Sequence, residues 1–167
     1  MKKFILAVVV LTATLVAKAQ DKIGYINSQE IVALMPAAKS AESQMKTLGD
    51  QKEAQLAALD SEYKNKVAAY QRDLPTMTDI VRSSREKEIV DLETKIKTYY
   101  QNAQKELEEK KYALLKPVLD KVQAAVDKVA ADNGYTYIID MANSVGLVVY
   151  KDESRDLSTK VKSALGI

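Results

Sequence analysis

From Ala37 to Asn133 apolar residues recur at helical spacing, and the only helix breakers in that span are Gly49, Pro75 and Pro117. Ala, Lys, Glu, Gln and Leu fill most of the rest, a composition suited to long exposed helices. Ahead of Pro75 the apolar stripe reads Met45, Leu48, Lys52, Leu56, Leu59, Tyr63, Val67, Tyr70 and Leu74. Beyond it the stripe reads Val81, Arg85, Ile89, Leu92, Ile96, Tyr100, Ala103, Leu107, Lys111, Leu114 and Val118. Steps of three and four give both stripes a repeat of about eleven residues, or about 3.67 per turn, which winds nearly straight or slightly right-handed. So narrow a stripe cannot be buried by the helix that carries it. It requires a partner.

Pro75 decides where that partner comes from. Inside a helix, proline removes a donor and clashes with the preceding turn. Here it is followed by Thr76-Met-Thr-Asp79, a start signal for a second helix. If the chain reverses near residue 76, Met45 faces Leu107, Leu56 faces Ile96, Tyr63 faces Ile89 and Tyr70 faces Val81. Lys52 then falls near Tyr100 and Arg85 near Val67, where their methylenes can lie along the seam. Phase alone also allows the stripe to run on through residue 75. A single helix over that span would be about 145 Å long with no partner. An antiparallel hairpin is therefore expected, with arms of about 38–40 residues and about 57–60 Å. Pro117, in "ALLKPVLDK", has no capping residue near it and reads as a kink or helix junction.

The flanking segments read as a second unit. Ile23 and Tyr25 suggest a short strand, and Asn27 with Glu30 a capping box opening one or two helical turns. Pro36 suits the first turn of the next helix. Past Pro117, Leu115, Leu119 and Val126 add a second apolar row beside Val118, Val122 and Val129, and two apolar faces imply burial in a compact head. The helix should stop at Asn133-Gly134. "YTYIID" and "GLVVY", joined by "MANSV", read as a hairpin of strands, with Ile138 and Val148 as core positions. Asp156 precedes a last short helix. The expected fold is α+β and mostly α: a long antiparallel helical hairpin projecting from a small β-containing trimerisation head. The divisions are 1–19 signal peptide, 20–36 head, 37–117 hairpin with its tip near 75–77, and 118–167 head. Such a head has roughly 65 residues and three short strands, a marginal core that oligomerisation would complete.

The N-terminus carries an address. Lys2 and Lys3 precede an apolar run from Phe4 to about Leu11, and Ala17-Lys18-Ala19 is a small-x-small cleavage pattern. The run is too short for the roughly 20 residues that span a bilayer. Cleavage after Ala19 and export to the periplasm are expected. The first 19 residues hold three of the 25 Lys and Arg and none of the 23 Asp and Glu, which leaves 22 against 23, a net of −1. No basic excess remains to suggest a nucleic-acid partner.

Candidate chemistry is sparse. The chain has no Cys, no His and no Trp, and its one Phe lies in the signal segment. The usual general base, thiol nucleophile and soft metal ligands are missing, as is a Gly-rich phosphate loop. Carboxylates alternate with lysines, the pattern of a solvated surface. No enzyme activity, metal or cofactor is expected.

Three stretches carry a resemblance. "KIGYINSQEIV…MPAAKSAE", "LLKPVLDKVQAAVDKVAADNGYTYIID" and "VVYKDESRDLSTKVKSAL" are similar to the Skp/OmpH family of envelope chaperones, over essentially the whole mature chain. The resemblance implies a homotrimer in which strands from three chains form a central body and three helical hairpins enclose a cavity. It also implies holding unfolded outer-membrane proteins in the periplasm without ATP. The best-known members are strongly basic, whereas this mature chain is near neutral. Its tip mixes Arg72, Arg82, Arg85 and Lys87 with Asp73, Asp79, Glu86 and Glu88, so only a weak contact with a membrane surface or lipopolysaccharide is expected.

Two functional classes remain. A holdase needs many weak contact points, whose effective concentration supplies the affinity. A structural coiled-coil spacer or adaptor of the envelope needs only length. Tyr99 and Tyr100 lie about 100° apart on a helix, so only one can occupy the seam and the other is exposed. Met77 and Ile80 at the tip are also poorly placed for burial. These four are the candidate client contacts, and Ile23, Tyr25, Leu115, Leu119, Val126, Ile138 and Val148 are the candidate oligomer and head-core residues.

Overall fold

The computed structural model describes residues 21–142 and 148–167. The expected signal peptide lies outside the described residues, as do positions 143–145 of the expected strand connection and 146–147 of the expected second strand. The described chain runs β1 (Ile23–Ile26), α1 (Ser28–Leu34), α2 (Pro36–Asp73), α3 (Asp79–Asn133), β2 (Tyr137–Asp140) and α4 (Ser158–Leu165). Short 3-10 turns span Leu74–Thr76 and Glu153–Arg155. Two compact units result, one from residues up to Met35 with Leu119–Ile167, the other Pro36–Val118.

The second unit is the hairpin. Pro75 sits in the Leu74–Thr76 turn, whose end is closed by the Met77 amide donating to the Leu74 carbonyl at 3.4 Å. The start of α3 is capped by Thr78, not Thr76: the Val81 amide donates to the Thr78 Oγ1 at 3.4 Å. The Thr76 hydroxyl turns back to the Asp73 carbonyl at 3.0 Å and finishes the preceding turn. α2 is 38 residues long, and α3 runs 55 residues through Pro117 as one helix, so Pro117 makes no junction.

Polar side chains report the antiparallel register. The Tyr70 hydroxyl donates to Glu86 at 2.5 Å, Lys66 to Glu88 at 2.7 Å and Tyr63 to Glu93 at 2.6 Å. Farther from the tip, Tyr99 donates to Gln55 at 2.8 Å and Lys52 to Glu106 at 2.5 Å. Between these flanks runs the predicted stripe. Leu92, Ala103 and Val118 are buried and most other stripe positions half-buried, as a two-helix contact with no third layer must leave them. Three positions depart: Val81, Tyr100 and Lys111 are exposed. Tyr99 turns to α2 in place of Tyr100, and Lys52 lies over the Tyr99 ring, 6.0 Å from its centre. Arg85 approaches Asp73 at 3.7 Å.

The first unit is built on β1 and β2, which pair parallel in the register Ile23 with Tyr137 through Ile26 with Asp140. This corrects the expected β-hairpin. Val148 to Tyr150 form no strand, because β2 takes β1 as its partner and residues 148–150 have no strand partner among the described residues. A parallel pair demands a long crossover, and α1 to α3 supply it in sequence. The other edge of β1 meets the C-terminal segment, where Tyr25 bridges to Asp156 and the Leu157 amide donates to the Tyr25 carbonyl at 2.9 Å. Ile31, Leu157 and Val161 are fully buried where α1 packs on α4. Gly24 is required by space: a Cβ there would lie 2.8 Å from Leu157 Cδ1 and 2.9 Å from the Tyr135 ring. Gly134, at φ +65°, stops α3 in the left-handed turn expected of it.

Capping ties these pieces together. Asn27 accepts from the Glu30 amide at 3.2 Å, as the capping box predicts. The return bond runs from the Asn27 side-chain amide to Glu30 at 2.7 Å, because the Asn27 backbone amide is turned to the Ser158 hydroxyl at 3.3 Å. Asp140, at the end of β2, accepts from the Ser28 and Ala142 amides at 3.0 Å each and from the Ser28 hydroxyl, capping α1 from a strand far along the chain. Partial burial pushes the Asp140 carboxyl upward, but these three bonds together outweigh it and hold the group below its ordinary 3.8. A lowered folded value means stability that is present above the ordinary carboxylate range and lost as pH falls through the folded value. Asp140→Asn should therefore cost about 1 kcal/mol at pH 7, a modest figure because the residue is exposed. In thermal unfolding the gap from wild type should close as pH drops below the folded value. A gap independent of pH would refute the charge-based cap.

Candidate functional site

Among the described residues no cluster of three or more His, Cys, Asp or Glu could hold a metal, and no helix is long and apolar enough to cross a membrane. What the chain offers is surface, and the hairpin unit sets its character.

Several charges on the hairpin are matched along an arm or across it. The hydrogen bond to Glu88 raises the Lys66 ammonium, and the same bond lowers the Glu88 carboxyl. The bonds to Glu93 and Glu86 raise the Tyr63 and Tyr70 hydroxyls. At the tip, Arg72 bonds Asp73 at 2.8 Å and lowers its carboxyl, and Arg82 lies 3.9 Å from Asp79. Paired in this way, the arginines present little unopposed positive field.

Apolar side chains also stand exposed on the hairpin. Ile80 is 84 % exposed and Met77 half-buried beside it. Of the tyrosine pair, Tyr99 is half-buried and bonded to α2, while Tyr100 is 51 % exposed. Val90 and Tyr112 are also exposed, and the sequence reading did not single them out. The signal was present: Ile89-Val90 is an adjacent apolar pair like Tyr99-Tyr100, so only one member can enter the seam.

The other unit leaves an apolar sheet face open. Ile23, Tyr137 and Ile139 are exposed on the two paired strands, and Ile138 is half-buried opposite Gly24. Tyr25 is buried, with its hydroxyl unbonded and Lys151 over its ring at 5.0 Å. Val148 is half-buried, but Val149 and Tyr150 are almost wholly exposed. Along α3, Leu119 is exposed while Leu115 and Val126 are half-buried, so the second apolar row is only partly covered in the single chain.

Known proteins resemble this chain in sequence and in fold. A family model described as "Outer membrane protein (OmpH-like)" matches residues 22–165. The chain belongs to the OmpH-like family. Curated relatives of this OmpH-like chain are named Chaperone protein Skp. The Pectobacterium atrosepticum protein is 30 % identical over 97 % of this chain and 100 % of its own. The Vibrio cholerae protein is 28 % identical over 96 % of this chain and 94 % of its own. A crystal structure of an outer membrane chaperone (OmpH-like) from Caulobacter crescentus has a TM-score of 0.71, covering 88 % of this chain and 85 % of that one. At 18 % identity that likeness shows the fold, which in the OmpH-like chain is the long helical hairpin joined to a small sheet.

The seam and the exposed residues should separate cleanly on substitution. Leu92→Ala removes a buried side chain from a thin contact and should cost about 2–3 kcal/mol in urea unfolding. Val90→Ala, two positions away and exposed, should cost less than about 0.5 kcal/mol. Equal costs would show that the seam is misplaced.

Proposed function

We propose that this OmpH-like chaperone is an ATP-independent holdase of the periplasm that binds unfolded outer-membrane proteins and prevents their aggregation. The observation that carries the reading is on the hairpin: ion pairs such as Lys66–Glu88 and Arg72–Asp73 match part of its charge, while Ile80, Val90, Tyr100 and Tyr112 stay exposed. Scattered apolar contacts of this kind are individually weak, and many of them within reach of one unfolded chain bind through effective concentration. Release then needs no nucleotide, only the reversibility of each contact.

Three copies complete the molecule in this reading. A two-stranded sheet is marginal by itself. The open face at Ile23, Tyr137 and Ile139 and the uncovered Leu119 are surfaces that copies of the chain would cover. Three hairpins would then bound the client cavity. Sedimentation of the mature chain should give the mass of three subunits, and a stable monomer at micromolar concentration would refute the trimer.

Light scattering of a denatured β-barrel protein tests the holdase itself. The mature chain should suppress aggregation, whereas an envelope spacer would leave it unchanged. Attraction between exposed charges fades as the Debye length falls from about 10 Å at 0.1 M salt to about 3 Å at 1 M. Suppression should survive that change. It should weaken when Met77, Ile80 and Tyr100 are replaced by serine, with the trimer intact. Suppression that collapses in salt yet ignores those substitutions would assign the holding to local basic patches.

A further inference from the structure

The two flanks of the hairpin differ in chemistry. One carries a groove in which Asn65, Lys66, Arg85 and Glu88 stand beside Ala58, Ala69 and Ile89, so that its lining is rich in charge. The other carries a cleft of about 480 Å³ whose floor is Leu56, Ala57, Ile96 and Tyr100. Gln104 donates to the Tyr100 hydroxyl at 2.8 Å and fixes that ring. Glu53, Asp60 and Lys97 form the rim. Asp60 is paired with Lys64 at 2.6 Å, while Glu53 on α2 and Lys97 on α3 have no partner among the described residues.

We infer that this apolar cleft, and not the charge-rich groove, takes client chain, as an extended segment with apolar or aromatic side chains at alternate positions. The inference rests on the holdase reading and places its contacts. Glu53 and Asp60 lie two helical turns apart, about 10 Å, the length of about three extended residues. In such a segment side chains at i and i+2 point the same way, about 7 Å apart, so two of them reach the Leu56, Ile96 and Tyr100 floor together. Charge complementarity settles the rest of the occupant. An unpaired anion stands on one wall and an unpaired cation on the other, so a polar residue of either sign beside the apolar ones meets a counter-charge. Alternating apolar and polar residues are the pattern of a transmembrane barrel strand. A continuous apolar segment would leave both rim charges facing hydrocarbon, at a cost in desolvation.

Adjacent alanines supply the test. Ala57 and Ala58 are both exposed on α2 but about 100° apart, one in each groove. The probe is a fluorescein-labelled nine-residue peptide alternating Leu and Tyr with Ser and one Lys, titrated with the mature chain by anisotropy. Ala57→Glu and Ala57→Lys should each weaken binding by about tenfold or more, and Ala58→Glu by less than about twofold. The two Ala57 substitutions differ in sign, so a folding or charge defect peculiar to one leaves the other to decide. Equal losses at both positions, or Ala57 variants that bind as wild type, would overturn the assignment. Light scattering with a denatured β-barrel protein separates the two levels. If wild type protects the client while the Ala57 variants bind peptide normally, the cleft falls and the holdase stands. If wild type neither protects nor binds, the holdase falls and takes the cleft with it.

Discussion

A stripe of apolar side chains too narrow to be buried by its own helix governs the rest of the molecule. It makes α2 and α3 depend on each other, and Pro75 lets one become the partner of the other. Two helices have no third layer to cover them, so the contact buries Leu92 and Ala103 while leaving most of its other members half in water. Tyrosine–carboxylate and lysine–carboxylate bonds therefore line the seam, and the lysine–carboxylate bond matches two opposite charges within the hairpin.

That thinness connects structure to function. A hairpin with a deep core would hide its apolar residues. This one displays Ile80, Val90 and Tyr100 along arms where Lys52–Glu106 and Lys66–Glu88 match part of the charge. The same economy holds in the other unit, where Leu157 and Tyr135 pack over Gly24 while Ile23, Tyr137 and Ile139 are left outward.

Features governed by spacing along the chain were legible in the sequence. The stripe, the reversal at Pro75, the Asn27 cap and the Gly134 stop all rest on residues within a few turns of one another. Features set by distant pairing were not. Nothing local shows that β2 pairs with β1, or that Asp140 caps a helix that begins at Ser28. The Val148–Tyr150 run has the β-rich composition of a strand, yet with no strand partner among the described residues it forms none. Within the hairpin, 100° of rotation separates Tyr99 from Tyr100, and a small drift of the stripe seats the first against α2 and turns the second out. The same rotation hides Val90 from a reading that follows only the seam.

Heat capacity distinguishes the two ways in which such a surface could hold a chain. Burial of apolar area on binding gives a negative heat-capacity change, whereas contact between exposed charges does not. Calorimetric titration of an unfolded, alternating apolar and polar peptide into the mature chain at several temperatures measures it directly. The account predicts a clearly negative change that persists at 1 M salt. A change near zero, with binding heat that vanishes as salt is raised, would contradict it.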